Sequence, residues 1–399
     1  MSARGRLRVR VRRGTALLAA LGAALACRDA TPPFEAQDHD PFEGPPPWRL
    51  TYNPGDDRAP AWSPDGEAVF YEAAGYAPFP RSDFVMVAAP REGGHATLLV
   101  PRAQVLPDTV LPLRTPVPSP DGRRVAFVEM GPTAGLSLCG GVPVCPLTGP
   151  VTEPVVWLRW AVLRVRDLDD SQPLENDPVL RIEFAGPVFH LREEPQRIEA
   201  PFYPGQRAFN ESKTALFRPS WSPDGRRIVF SDGLRLWIWT VGGGEPVAVP
   251  GVMDAVSPAW SPDGEWIAFT HLLRGEAVTQ SCREVAPGTG ETGCILERTD
   301  YPLLGRNVAI VRPDGSGLAT VGEGEEPAWS PDGSRLYFRR GDRIWRSGLD
   351  GSGAAPLPRT EGGREPAVSP DGRLLAFARR LGPEDAQAKY DIWVLPLDP

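Results

Sequence analysis

Lysine is nearly missing from this chain: Lys213 and Lys389 are the two lysines among 43 basic residues, a bias that reflects genomic composition more than chemistry. A basic excess is missing too. A formal charge of −8 and a pI near 5.3 argue against a nucleic-acid binder, which would carry a basic stripe. Histidine is scarce, and His39, His95, His190 and His271 lie far apart with no zinc-ligand spacing. Neither G-x-S-x-G nor H-E-x-x-H occurs, and these absences remove the usual signatures of serine hydrolases and zinc proteases. The apolar run Thr15 to Ala26 is twelve residues, too short for the roughly 20 that a membrane helix needs. Abundant instead are glycine and proline, 42 and 47 of 399 residues, which imply many turns and short elements.

The first residues read as an export signal. Six arginines and no acid fall within Met1 to Arg13, and the apolar segment follows, ending Ala24-Leu25-Ala26-Cys27. That end fits both a lipobox, with Cys27 acylated as the first mature residue, and the A-x-A rule of ordinary signal cleavage. Five cysteines bear on the choice: Cys139 and Cys145 form one local pair, Cys282 and Cys294 another, and export to an oxidising compartment makes both pairs disulfides. Cys27 is the odd one. A lipidated Cys27 avoids a free exported thiol, so residues 1–27 are read as a lipoprotein signal. The alternative is a soluble periplasmic protein with an unpaired cysteine near its terminus. Arg28, where an aspartate would signal retention, resembles outer-membrane sorting. Residues 28–46 are acidic and proline-rich, a tether.

From residue 47 to 399 one dodecamer occurs six times, as in PAWSPDGEAVFY at Pro60 and PSWSPDGRRIVF at Pro219, with further copies at Pro116, Pro258, Pro327 and Pro366. Successive copies are 56, 103, 39, 69 and 39 residues apart, so the unit is 39 residues and the longer intervals carry insertions. Pro-Asp-Gly makes a tight turn between a short strand, Ala61-Trp62-Ser63 in the first copy, and a second one. In that second strand an aliphatic column (Val69, Val125, Ile228, Ile267, Leu336, Leu375) alternates with an aromatic one (Tyr71, Phe127, Phe230, Phe269, Phe338, Phe377). The intervening column is apolar as well, so both faces are expected to be buried between stacked sheets. Third strands such as Leu236 to Val241 and Asp391 to Leu395, and fourth strands such as Leu318 to Val321, complete the unit.

Four strands in about 40 residues is a propeller blade. The six SPDG motifs resemble the TolB-type, or PD40, repeat, a relative of the WD repeat. The expectation is an all-β, six-bladed β-propeller of four-stranded antiparallel blades, with the strand at Trp48 to Thr51 completing the last blade and closing the ring. Six blades, not seven, are expected. After the third and fourth strands of blade two, Val162 to Leu168 and Val179 to Phe184, too few residues remain in the 103-residue interval for another blade. TolB carries an α/β domain ahead of its propeller, where this chain has only the tether.

Loops between second and third strands are long in blades one, two, four and six. With the stretch Ala185 to Thr214 they decorate one face, where binding concentrates. Just before each motif's proline, Arg58, Arg114, Arg218, Ser257, Glu326 and Glu365, with Glu325 and Arg364, are expected to ring the channel mouth. Glu129, Asp232, His271, Arg340 and Arg379 are expected at the tops of second strands. Arg58, Arg114, Arg218, His271, Glu326, Arg340 and Glu365 are the candidate binding residues, with a solvated rim of salt bridges as the alternative. Gly288 to Gly293 matches G-x-G-x-x-G but lies between Cys282 and Cys294, without the strand and helix that fingerprint needs. Asp167 to Asp170 lacks the glycine and distal glutamate of a calcium loop. No metal or cofactor is therefore expected. The function expected is a monomeric, lipid-anchored, non-catalytic scaffold binding an envelope protein, peptide or glycan, at the outer membrane and facing periplasm or cell surface. The alternative is a propeller hydrolase or lyase acting at the channel mouth.

Overall fold

The computed structural model describes residues 44–52, 55–74, 84–93, 96–99, 113–130, 134–137, 155–158, 160–169, 177–183, 188–191, 197–199, 218–276, 278–280, 296–300, 303–380 and 390–398. Cys27, Cys139, Cys145, Cys282, Cys294 and the tether up to residue 43 lie outside these residues.

Six four-stranded antiparallel sheets form a ring, and every described strand of a blade pairs with its neighbour in sequence order. Blade one comprises Asp57–Trp62, Ala68–Ala74, Phe84–Pro90 and Thr97–Leu98. Blade two comprises Leu113–Pro118, Arg124–Met130, Trp160–Asp167 and Val179–Glu183; the later blades repeat the plan. The last blade takes its outer strand from the other end of the chain: Trp48–Arg49 pairs with Tyr390–Pro396, Trp48 opposite Val394 and Arg49 opposite Trp393. This closes the ring and leaves no open blade.

The aliphatic and aromatic columns are buried as expected, with Val69, Val125, Phe127, Ile228, Ile267, Leu336, Leu375 and Phe377 all at 0% exposure. They pack between blades: Tyr71 and Val87 of blade one meet Leu50, Ala376, Ile392 and Val394 on the blade-six side in one cluster. Each such side chain contributes about 1.5–3 kcal/mol on burial.

The SPDG motif has the same internal wiring in all six blades. The serine hydroxyl donates to the aspartate Oδ1 at 2.5–2.6 Å and accepts the N–H five residues on. That same Oδ1 accepts the N–H two residues beyond it. The glycine at φ +66° to +77° turns the chain where a side chain would be strained. A methyl placed on Gly66 would lie 3.6 Å from Pro370, and one on Gly122 3.9 Å from Pro64, so each turn's proline packs against the next blade's glycine around the whole ring.

The interval between blades two and three holds no seventh blade among the described residues. Its strands Val188–Leu191 and Arg197–Glu199 instead join Val278–Gln280 and Leu296–Asp300, from the blade-four insertion, in a separate four-stranded sheet. Phe189 pairs with Arg298 and Leu191 with Leu296.

Candidate functional site

Each inner strand carries the motif's proline, which has no N–H to give to the ladder. In blades one, two, four, five and six the pairing register shifts there, as between Arg58 and Ala61 or Glu325 and Ala328. The residue before the proline turns left-handed: Ala59 (φ 50°), Thr115 (52°), Ser257 (52°), Glu326 (59°) and Glu365 (54°). These are β-bulges without glycine. Arg58 and Arg114 therefore stand one place earlier than the pre-proline position, which Ala59 and Thr115 occupy.

A bulge takes its N–H out of its own ladder, and here four of them are accepted by a side chain of the preceding blade. Glu365 Oε2 accepts from Ala59 at 2.7 Å and Glu72 Oε2 from Thr115 at 3.0 Å. Thr270 Oγ1 accepts from Glu326 at 2.9 Å and Glu326 Oε2 from Glu365 at 2.7 Å. Where the bulge residue is itself a glutamate, in blades five and six, it serves the next blade. Where it is Ala59 or Ser257, the acceptor comes from the second strand, as Glu72 or Thr270. Ser231, at the same second-strand place in blade three, donates to Ala255 O at 2.6 Å.

The electrostatics follow from this burial. Arg364 donates to Glu326 Oε1 at 3.1 Å, both side chains under 10% exposed. Burial acts to raise the Glu326 carboxyl, but Arg364, Arg339 and the Glu365 N–H outweigh it and leave it below the ordinary value. Arg364, in turn, is raised by Glu326 and Glu365 against the effect of its own burial. Glu325 lies between Arg339 at 2.6 Å and Arg306 at 3.1 Å, and burial with the adjacent Glu326 raises it. Glu72, fully buried, is pushed up to about 7 by desolvation, only partly opposed by Arg114 at 3.5 Å. Arg58 stacks at 4.1 Å over Tyr390, whose N–H donates to Asp56.

Arg218, from blade three, crosses the channel to donate to Pro60 O of blade one at 2.6 Å. Burial lowers its pKa, against Glu365, Glu326 and Glu72. It lines a central cavity of about 320 Å³ to which all six inner strands contribute.

The structure thus brings Arg218, Glu326 and Glu365 into one cavity, with Arg58, Arg114 and Glu72 clustered about them. His271 and Arg340 do not line it. His271 sits on the second strand of blade four between Ala255 and Asn307, its ring 6.3 Å from that of Phe269. Arg340 stacks on Trp345 at 4.8 Å and pairs with Glu323 at 2.9 Å on the surface. Glu72 and Thr270 escaped the sequence reading. Their signal is a polar residue directly after the buried aromatic of an otherwise apolar strand, in Tyr71-Glu72 and Phe269-Thr270. Among the described residues no group of three or more His, Cys, Asp or Glu is placed to hold a metal ion.

No family model and no curated protein matches the chain. Among solved structures it is similar to TolB from Acinetobacter baumannii, with 18% identity and a TM-score of 0.45 over 82% of this chain and 60% of that one. A putative TolB from Agrobacterium tumefaciens gives 15% and 0.44 over 86% and 92%. Oligogalacturonate lyase from Vibrio parahaemolyticus gives 12% and 0.41 over 88% and 80%. The chain spans only 60% of the Acinetobacter protein. What this chain is rests on its own six four-stranded blades: an all-β, six-bladed β-propeller.

Proposed function

We propose that the protein is an exported, envelope-anchored propeller scaffold that binds a protein, peptide or cell-envelope glycan on its loop-decorated face. The observation that carries this reading is the accessory sheet. Two insertions far apart in sequence, 188–199 and 278–300, pair into one element outside the ring, and both leave from the face that bears the connections between second and third strands and between blades. A rigid ring carrying a built platform suits recognition. The charged groups at the channel mouth support the same reading, since Glu72, Glu326 and Glu365 hold the next blade's backbone.

The test is affinity capture from envelope extracts with the full chain and with a variant in which residues 278–300 are replaced by a short Gly-Asn-Gly turn. A specific envelope partner retained by the first and lost by the second, with the ring still folded, is expected. Capture that survives the replacement, or turnover of an envelope glycan at the channel mouth, overturns the reading. Anchoring is checked separately. Cys27→Ser should move the protein out of the membrane fraction, and the denatured, unreduced wild type should show no titratable thiol.

A further inference from the structure

The cavity has an apolar wall and one arginine that, among the described residues, has no carboxylate in direct contact. Its lining is mostly proline, alanine, valine and the tryptophans Trp62, Trp260 and Trp329. The indole N–H groups are already committed: Trp62 donates to Ala367 O, Trp329 to Ala259 O and Trp260 to Gly264 O. Ser220 Oγ accepts from the Trp260 backbone N–H. Glu326 spends both carboxylate oxygens on Arg364 and the Glu365 N–H, and Glu365 Oε2 is held by the Ala59 N–H.

Arg218 differs. Among the described residues its guanidinium makes one hydrogen bond, to a neutral carbonyl, and no carboxylate comes within 4 Å. Its side chain keeps some accessible surface and lines the cavity, and among the described residues the remaining donors of the fork have no protein acceptor. A guanidinium enclosed by protein is stable only when its donors are met.

The exposed part of the cavity lining lies at the turn end. Pro262, Pro331 and Pro370, which line it there, are exposed, while Glu326 and Glu365 at the other end are 5% and 2% exposed. No residue of the accessory sheet lines the cavity, so a ligand held here is independent of the platform proposed above. About 320 Å³ lies at the small end of ligand pockets and suits a small molecule.

We propose that this cavity is a binding site for a small amphiphilic monocarboxylate, whose apolar body lies against the proline and tryptophan wall and whose carboxylate meets Arg218. A monoanion fits better than a phosphate, because Glu326 and Glu365 share the cavity with Arg218 and disfavour a second negative charge. A cationic head would have to displace those carboxylates' backbone partners.

The experiment uses the full chain and three eight-carbon probes, octanoate, octan-1-ol and octylammonium, followed by calorimetry and tryptophan fluorescence. Octanoate is expected to bind saturably at one site, about 10–100-fold more tightly than octanol, the range of one charge-assisted hydrogen-bonding head. Arg218→Gln should bring octanoate down to the octanol level and leave octanol unchanged. Equal affinity for octanoate and octanol, tighter binding of octylammonium, or an Arg218→Gln protein that binds octanoate like wild type overturns the proposal. Should that variant not fold, Ala328→Leu narrows the apolar wall without touching Arg218. It should weaken octanoate at least tenfold, and unchanged binding counts against the site. The three probes on wild type decide the matter by themselves if neither variant folds, and absence of saturable octanoate binding ends it.

Discussion

The two ends of the inner strands are built on opposite plans. At the turn end six serines and six aspartates repeat one set of hydrogen bonds without exception. At the mouth end the same backbone problem, a bulge N–H turned toward the neighbouring blade, is met by residues of different type on different strands: Glu365, Glu72, Thr270 and Glu326. The turn is solved inside one blade, so one local sequence serves six times. The bulge is solved between blades, so only the acceptor's position in space is fixed, and two strands can supply it. Local order came from repetition, and the ring's polar joints came from exchange between neighbours.

The comparison breaks most severely at Glu326, which serves two partners. Glu326→Ala leaves Arg364 buried without its carboxylate and the Glu365 N–H without an acceptor. Removing one member of a buried pair costs about 3–5 kcal/mol. Equilibrium denaturation in urea should show that loss, well above the cost of altering one turn of the same blade. A loss below about 1 kcal/mol would mean that the joint between blades five and six rests on packing alone.

Glu72 sharpens the comparison through pH. Its carboxyl is raised from 4.5 to about 7 by burial. The native state therefore holds a proton that the unfolded chain releases, and stability falls as pH rises from about 4.5 to 7. The shift corresponds to roughly 3 kcal/mol at the top of that window. Glu72→Gln keeps an acceptor for Thr115 and removes the titration. The variant should match wild type near pH 4.5 and exceed it progressively up to pH 8. A difference independent of pH would show that Glu72 is ionised throughout and held by Arg114. The turn aspartates act in the other direction. Their carboxyls lie below the ordinary value because the serine hydroxyl and a backbone N–H hold the ionised form, Asp332 down to about 2. Their contribution is present above about pH 4 and is lost as acid protonates them.

The blades were legible in the sequence because their determinants are local: the SPDG turn, the two-residue alternation and the 39-residue unit. The ring closure was legible too, since the Trp48 strand and the last strand are each incomplete alone. The inner strands were read too short, starting at Ala61 where the structure starts at Asp57. A proline in mid-strand hides the ladder that resumes before the bulge. The mouth was also read one place off in blades one and two, with Arg58 and Arg114 set beside Glu326 and Glu365, although Ala59 and Thr115 directly precede Pro60 and Pro116. The accessory sheet was not legible. Its two halves lie about a hundred residues apart, and neither carries a repeat to align it.

A smaller effect tests whether the turns are as uniform as their wiring. Ser119→Ala, Ser222→Ala and Ser369→Ala each remove a fully or nearly buried hydroxyl that bridges the aspartate and the N–H five residues on. Each should cost about 1–2 kcal/mol at neutral pH. The three values should agree within about 0.5 kcal/mol, in contrast to the mouth, where no two joints are alike. In acid the cost of each substitution should shrink, because the hydroxyl is the largest cause of the aspartates' lowered values and the stability it gives the ionised form is lost as the wild-type aspartate is protonated. Unequal costs would show that the blade, and not the turn, sets the energy.

The smallest expected effect lies two residues apart in one strand. Ala59 is left-handed at φ 50°, whereas Ala61 pairs with Phe70 in the ladder. Both methyls are buried, at 3% and 6% exposure, so Gly substitution removes similar packing at each. The backbone terms differ. Glycine relieves about 1 kcal/mol of left-handed strain at position 59 and adds about the same in chain entropy to the cost at position 61. Ala59→Gly should therefore fall within about 0.5 kcal/mol of wild type, while Ala61→Gly loses at least 1 kcal/mol, both read from the urea midpoint at constant slope. Equal losses at the two positions would mean that the bulge carries no strain, and that the acceptor from Glu365 fully compensates the conformation it holds.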